Sequence, residues 1–318
     1  MTKPEDFYTL EKPIALLKEQ IDELLNVGEP GTKEKVAALR LQIEVEWKKL
    51  QPQLVPSQIV QVARHPKRPL TLEYINALTT DFMEMHGDRR FGDDPALVAG
   101  LAFYKGQTVA VLGHQKGRTT RERIDRNFGQ MNPEGYRKAY RIFMEAEKFG
   151  FPVITFIDTQ GAAPGIGAEE RGQAEAIAYN LKVMAGLRVP IVCVIIGEGG
   201  SGGALGIGVG DQILMLENAY YSVISPEGCA AILWKDQSAV QQAAENLHIR
   251  ATDLLKLGVI DKIIPEPAGG AHIDPDTTFK NTDRVLHQTL TKLKAKTCDV
   301  LVAERYDKFR KMGVYVTS

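Results

Sequence analysis

The chain has 318 residues, 44% of them hydrophobic and 25% charged, and carries a formal net charge of −1. These are the proportions of an ordinary globular protein with one large or two modest domains, and the balanced charge excludes a global field for nucleic acid or an anionic membrane. No apolar run approaches the roughly 20 residues of a membrane span, and residues 1–22 have no signal-peptide core, so a cytoplasmic protein is expected.

The N-terminal region reads as a helical hairpin. Ile14, Leu17, Ile21, Leu24 and Leu25 fall at helical spacing, as do Val36, Leu39, Ile43, Trp47 and Leu50, with Gly28-Glu-Pro-Gly31 as the breaker. Ala63-Arg-His-Pro-Lys-Arg-Pro69 is a basic, proline-bounded loop, and a helix is predicted from about Leu72 to Met85. Two strands follow, Leu97 to Tyr104 and Thr108 to Gly113, joined at Lys105-Gly106. After a basic stretch comes a helix from Pro133 to Phe149 with Tyr136, Ala139, Tyr140, Phe143 and Ala146 as its apolar stripe. The strand 152–157, a loop at 159–168 and a helix at 169–187 repeat the alternation. Strand 190–196, the strands 212–216 and 221–224, and a helix at 227–235 continue it. Helices near 240–247, 252–257, 283–294 and 299–312, with a short strand within 258–264, complete the chain. The pattern predicts an α/β body of successive strand–strand–helix units. It divides the chain into a hairpin at 1–55, a main domain at 56–295 and a helical tail at 296–318.

Eight of the 14 residues from Gly197 to Gly210 are glycine, directly after an apolar strand. Each glycine in a helix costs roughly 1 kcal/mol relative to alanine, so such a run is retained where something must approach the backbone closely. A strand that opens through bare backbone into a helix start presents unpaired N–H groups, suited to an anion or oxyanion. The loop Asp158-Thr-Gln-Gly-Ala-Ala-Pro-Gly165 stands in the equivalent place after the preceding strand. Open α/β folds place their ligands at strand C-termini of this kind. Three readings fit the pattern. Gly197-x-Gly199-x-x-Gly202 with Glu217 outlines a dinucleotide fingerprint; Gly199-x-Ser201-x-Gly203 matches a serine-nucleophile elbow with His248 or His272 as the base; the third is a main-chain oxyanion site.

Elsewhere, Lys116 to Arg126 is either a phosphate grip or a solvated helix face. Asp88, Arg89, Asp93 and Asp94 read as a charge-paired turn rather than a metal site. Cys193, Cys229 and Cys298 include no CxxC pair, and no metal site is expected in this chain. Cys193, in an apolar strand, is expected to act as a small buried hydrophobe.

Dense, collinear matches identify the chain as similar to the carboxyltransferase α subunits of multi-subunit bacterial and plastid acetyl-CoA carboxylases. They are Ala63-Arg-His-Pro-x-Arg-Pro69, Gly113-His-Gln-Lys-Gly-Arg118, Arg126-Asn-Phe-Gly129, Pro133-Glu-Gly-Tyr-Arg-Lys138, Ala168-Glu-Glu-Arg-Gly-Gln173, Ile196-Gly-Glu-Gly-Gly-Ser-Gly-Gly-Ala-Leu205, Tyr221-Ser-Val-Ile-Ser-Pro-Glu-Gly-Cys229, Ile232-Leu-Trp-Lys235 and Ile264-Pro-Glu-Pro-x-Gly-Gly-Ala-His272. One departure stands out. Where many members read Asp-Thr-Pro-Gly-Ala-Tyr-Pro-Gly, this chain has Gln160 and Ala163, so an aromatic wall is missing while the glycines and Pro164 are kept.

The resemblance implies a crotonase-like α/β fold. It implies an α2β2 heterotetramer whose β subunit carries a zinc ribbon, working with a biotin carboxyl carrier protein and the biotin carboxylase, through which the holoenzyme uses ATP. The implied reaction moves a carboxyl group from carboxybiotin on the carrier to acetyl-CoA, giving malonyl-CoA for fatty acid biosynthesis. By the same resemblance the N–H groups of Gly202 and Gly203 bind the biotin oxygen, and the thioester oxyanion is held by the β subunit. Gly161, Ala162, Gly165, Gly199, Gly200 and Ala204 are implied to line the biotin side of the cleft, and Lys116 and Arg118 are candidate contacts to CoA phosphates. Biotin itself can take the substrate proton, which fits a sequence showing no evident catalytic histidine or carboxylate pair. The rivals are a stand-alone crotonase-type hydratase or isomerase, a serine hydrolase and a non-catalytic scaffold.

Overall fold

The computed structural model describes residues 5–28 and 30–313. The extreme ends of the expected hairpin and tail, residues 1–4 and 314–318, and Glu29 of the breaker lie outside the described residues. Eight strands form one sheet: β1 (Thr80–Glu84), β2 (Leu97–Tyr104), β3 (Gln107–His114), β4 (Val153–Thr159), β5 (Ile191–Gly200), β6 (Gln212–Leu216), β7 (Tyr220–Ser222) and β8 (Lys262–Ile264). Their order is β1-β2-β3-β4-β5-β6-β8, with β7 also pairing β5. The first two pairings are antiparallel and all the others parallel. Every residue of β4 and β5 is buried, because helices cover both faces of a parallel sheet; hence their nearly unbroken apolar sequences.

Helix Pro133–Phe149 presents Tyr136, Ala139, Ile142, Phe143 and Ala146 to the main core; Tyr140 of the predicted stripe instead stands half-buried, edge-on to Tyr179 at 5.2 Å. The last helix, Cys298–Arg310, joins the same core through Leu301. It is also fastened there by Arg305, 1% exposed, whose guanidinium holds both oxygens of Asp211 at 2.9 Å and the carbonyls of Met184, Leu187 and Val189. Residues set apart in sequence as a tail are therefore packed into the body. The hairpin, helices Phe7–Val27 and Thr32–Leu50, builds a second core from Phe7, Ile14, Ile21, Val36, Ile43 and Trp47 against Ile59, Val62 and Ile273.

Several elements differ from their sequence reading, among them the helix predicted near 283–294, which starts at Pro275. The helix predicted at 72–85 ends at Leu78, and residues 80–84 form β1 on the sheet edge. There a free antiparallel ladder along β2 outweighs the helical periodicity. The helix predicted at 169–187 is two helices, Ile166–Glu170 and Gln173–Gly186, separated where Gly172 takes a left-handed φ of 84°. Strand β5 runs four residues past its predicted end at Ile196, because Glu198, Gly199 and Gly200 pair with Tyr220, Tyr221 and Ser222 of β7.

Candidate functional site

The two glycine-rich loops leave neighbouring strands and meet. After β4, the Thr159 hydroxyl accepts the Gly161 N–H at 3.2 Å and donates to the Gly161 carbonyl at 2.7 Å, turning the chain outward. The Ala163 N–H donates to the Met131 carbonyl at 2.9 Å, and the Gln173 amide donates to the Ala163 and Met131 carbonyls at 2.9 and 2.8 Å. Backbone bonds of this kind hold the loop whatever side chain stands at 163, which is how it tolerates an alanine there. After β5, the helix Ser201–Leu205 begins at once. A Cβ on Gly200 would stand 2.0 Å from the Gln160 carbonyl oxygen, and one on Gly203 2.3 Å from the Gly161 carbonyl carbon and 2.6 Å from the Ala162 nitrogen. The loops touch backbone to backbone.

Gly202 differs: a Cβ there would meet only Ile177, at 3.6 Å. Gly202, Gly161 and Ala162 are part-exposed, and Gly165 is exposed at the far end of its loop, while Gly199, Gly200, Gly203 and Ala204 are buried behind the junction. The N–H groups of Gly202 and Gly203 lie in the first helical turn, where no intrahelical carbonyl is available, and neither donates to a carbonyl outside its own helix. Ser201 opens this turn with a φ of 50°, a sparsely populated conformation for a residue with a side chain.

Beside the junction lies an ion cluster that the sequence reading missed. Lys116 Nζ is 2.7 Å from Asp158 Oδ1 and 2.5 Å from Glu198 Oε2. Arg64 binds the other oxygen of Glu198 at 2.5 Å and reaches Glu227 at 2.6 Å; the Tyr220 hydroxyl donates to Glu198 at 2.8 Å. Asp158 Oδ1 also accepts the Glu198 N–H at 2.9 Å. Burial alone would push the Glu198 carboxyl up, but Lys116 and Arg64 hold it down at about 2. Burial likewise opposes the Lys116 charge, and the two carboxylates overcome it and raise its pKa. The cluster ties the C-terminal ends of β4 and β5 together immediately before both loops turn out. Asp158 and Glu198 thus form a carboxylate pair that the sequence does not show, but their charge is spent on Lys116 and Arg64. One signal was available: Asp158 and Glu198 are each the first charged residue after an apolar strand.

This arrangement bears on the basic stretch. Lys116 faces inward between two carboxylates, and Arg118 is bound to Glu73 and to the Pro66 carbonyl. Both candidate phosphate contacts thus already have partners within the chain. Arg64, His65 and Arg68 of the proline-bounded loop also face the body. Arg68 donates to the Ile196 carbonyl at 2.7 Å and pairs with Glu266 at 2.6 Å.

The rival motifs meet obstacles. The helix after the fingerprint glycines has five residues, and Glu217 accepts from Gln51 at 2.8 Å and from the Glu266 N–H at 3.2 Å. His272 is committed to Glu11 at 2.6 Å, and among the described residues no imidazole is hydrogen-bonded to Ser201. The turn at 88–94 is charge-paired as expected, but with helix Pro133–Phe149: Asp88 holds Arg137 at 2.8 Å and Asp93 holds Lys138 at 2.7 Å. Glu11, His65 and His272 form one cluster of metal-ligating types. The two rings stack at 3.8 Å and 25°. His272 Nε2 lies 2.6 Å from Glu11 Oε1 and His65 Nε2 3.6 Å from Glu11 Oε2, so the group clasps the hairpin to the body.

A sequence profile described as acetyl co-enzyme A carboxylase carboxyltransferase-like matches residues 7–313. The acetyl-coenzyme A carboxylase carboxyl transferase subunit alpha of Halalkalibacterium halodurans is 56% identical over 312 residues, covering 96% of this chain and 95% of the relative. That of Thioalkalivibrio sulfidiphilus is 52% identical over 313 residues, covering 98% of each. Among solved structures, the transcarboxylase 12S core superposes with a TM-score of 0.59 at 18% identity over 74% of this chain and 44% of its own. A Pseudomonas malonate decarboxylase hetero-tetramer does so with a TM-score of 0.59 at 17% identity over 74% and 91%. These structures share the crotonase-like fold. With its own loops meeting at Gly161 and Gly203, and with relatives matched over almost its whole length, the chain belongs to the family of acetyl-CoA carboxylase carboxyltransferase α subunits.

Proposed function

We propose that this chain is the α half of a cytoplasmic carboxyltransferase that passes a carboxyl group from carboxybiotin, carried on a separate protein, to acetyl-CoA. The observation that carries the reading is the junction itself: two backbone N–H groups, at Gly202 and Gly203, in a turn fixed against the 160–165 loop. Carboxybiotin supplies the carboxyl group. The part of this chain is to hold the negative charge that gathers on the ureido oxygen as that group departs. Preorganised main-chain donors suit this task, and losing one typically costs about 10²–10³ in rate. The part-exposed backbone at Gly202 leaves a flat ring free to approach the turn, while Gly203 behind it is locked against Gly161. The cluster of Lys116, Asp158, Glu198 and Arg64 is neutralised internally, so it steadies the strand ends and leaves acid–base work elsewhere.

The donors for the thioester oxygen are assigned to a β subunit, which completes the site in an α2β2 assembly with the zinc ribbon on β. A carrier protein and a biotin carboxylase supply the charged biotin. Malonyl-CoA formation by the purified chain, alone and after addition of a β subunit, tests this. Activity only in the mixture is expected; robust carboxylation of acetyl-CoA by the α chain alone would refute the division of labour.

A further inference from the structure

Beyond Lys116 and Arg118, the basic stretch that follows β3 has no part in the reading above. Its centre is the helix Thr120–Asp125, of which no residue is buried. A helix this short gains little from propensity and normally takes its stability from packing; this one is held by local contacts instead. Thr119 and Glu122 close a capping box, the Glu122 N–H 3.2 Å from the Thr119 hydroxyl and the Thr119 N–H 3.1 Å from the Glu122 carboxylate. Gly117 lies so close that a Cβ there would stand 2.7 Å from the Glu122 backbone. The turn that follows is equally fixed. Asn127 and Phe128 take left-handed φ values of 44° and 54°, a costly conformation for residues with side chains. Arg126 anchors them by donating to the Pro95 carbonyl at 2.8 Å, and Gly129 by packing on Lys116 and the Asp158 carbonyl.

These devices hold out a mixed patch. The Arg121 side chain is 92% exposed, and Ile124, three residues on and on the same helix face, is 62% exposed. Arg123 is half-buried, and among the described residues its guanidinium makes one hydrogen bond, to the Gly117 carbonyl at 3.5 Å, and no ion pair. The neighbouring Glu122 is spent on the N–H groups of Arg118 and Thr119. Phe128 is 48% exposed. Arg123 and Phe128 border a cavity of about 150 Å³ that reaches Gln160, whose carbonyl is the one Gly200 rests on. The patch is thus continuous with the edge of the loop junction. Biotin comes to that junction attached to a protein, which must rest on the rim while the ring enters. Arginine beside exposed apolar and aromatic side chains is the composition that protein contacts favour. We infer that the Thr120–Asp125 helix and Phe128 are the docking surface for the biotin carrier. Arg121 and Arg123 meet acidic groups of the carrier, and Ile124 and Phe128 make its apolar contact. The inference rests on the reading of this chain as the α half of a carboxyltransferase.

The test uses the chain assembled with its β subunit and measures carboxyl transfer from malonyl-CoA to two acceptors, the biotinylated carrier protein and free biotin. Arg121→Glu with Arg123→Glu, and Ile124→Ser, should assemble normally by gel filtration. The double charge reversal should raise the KM for the carrier at least about tenfold, with kcat and the KM for free biotin at wild-type values. Added salt should raise the wild-type KM for the carrier and barely change that of the double variant. Phe128→Gly should also raise the carrier KM while being no less stable in urea, because glycine takes a left-handed φ without strain. An unchanged carrier KM in the double variant overturns the inference. So does an equal rise for free biotin, which would put these residues in the biotin pocket, or a rise for malonyl-CoA alone, which would make the cavity a CoA site. Loss of assembly would assign the helix to the β subunit and overturns it too. If the wild-type complex carboxylates neither acceptor, the carboxyltransferase reading fails and the inference with it; if it carboxylates both and the variants match it, only the inference fails.

Discussion

Gly203 rests on Gly161: a Cβ added at Gly203 would stand 2.3 Å from the Gly161 carbonyl carbon. Backbone cannot yield at that distance as a flexible side chain can, so Gly203→Val must either push the 160–165 loop outward or rotate the turn. Both move the donors, and a loss of at least about 10²–10³ in transfer rate is expected. Gly202→Ala is the control. Its Cβ meets only Ile177, at 3.6 Å, so it should assemble normally and keep its N–H and most of its activity. Steady-state transfer beside gel filtration checks the pair; a fully active Gly203→Val enzyme removes the oxyanion assignment.

Ser201 has a φ of 50° at the strand-to-helix turn, a strained placement of the kind found at nucleophile elbows. The strain serves the sharp exit from β5 and needs no hydroxyl. Ser201→Ala and Ser201→Gly should both retain most transfer activity, and the glycine variant should be at least as stable, because the left-handed region costs glycine nothing. A drop of several orders of magnitude with the fold intact would restore the serine as a nucleophile, and labelling by a fluorophosphonate would corroborate it.

Lys116→Met leaves Asp158 and Glu198 buried without their shared cation. Removing one member of a buried ion pair typically costs about 3–5 kcal/mol, to be read in urea unfolding. Glu198→Gln added to Lys116→Met should recover part of that loss, since one stranded charge is removed. A Lys116→Met protein as stable as wild type would show that the cluster holds nothing together.

The pH dependence has two parts. His65 and His114 both have their pKa lowered to about 3 from 6.5 by burial. Their folded states take up protons later than the unfolded chain, so the stability they provide is complete above pH 6.5 and is lost as pH falls toward 3. Glu198, held at about 2 against an ordinary 4.5, loses its contribution lower down, between those values. Each such group contributes a slope of up to about 1.4 kcal/mol per pH unit inside its window. His114→Gln should therefore flatten the stability curve between pH 6 and 4 by up to one proton. An unchanged slope would mean that the ring is already protonated in the folded protein.

Much of this protein was legible in one dimension. The apolar runs that became β4 and β5, the stripe of helix Pro133–Phe149 and the hairpin repeats each reflect burial of a whole strand or of one helix face, and burial writes itself into local periodicity. The glycine run announced close backbone approach, because nothing else justifies its cost, and the motifs named the family. What Gly203 approaches, however, is Gly161, 42 positions earlier, and no local pattern encodes that partner. The helix predicted at 72–85 failed for a related reason: an open ladder on β2 was a better partner for residues 80–84 than their own helical turns. Lys116 read as part of either a phosphate grip or a solvated helix face until the fold set it between Asp158 and Glu198. Sequence determines which residues must be buried or bare; only the tertiary structure decides which charges meet, because pairing energy depends on distances set by strands far apart in the chain.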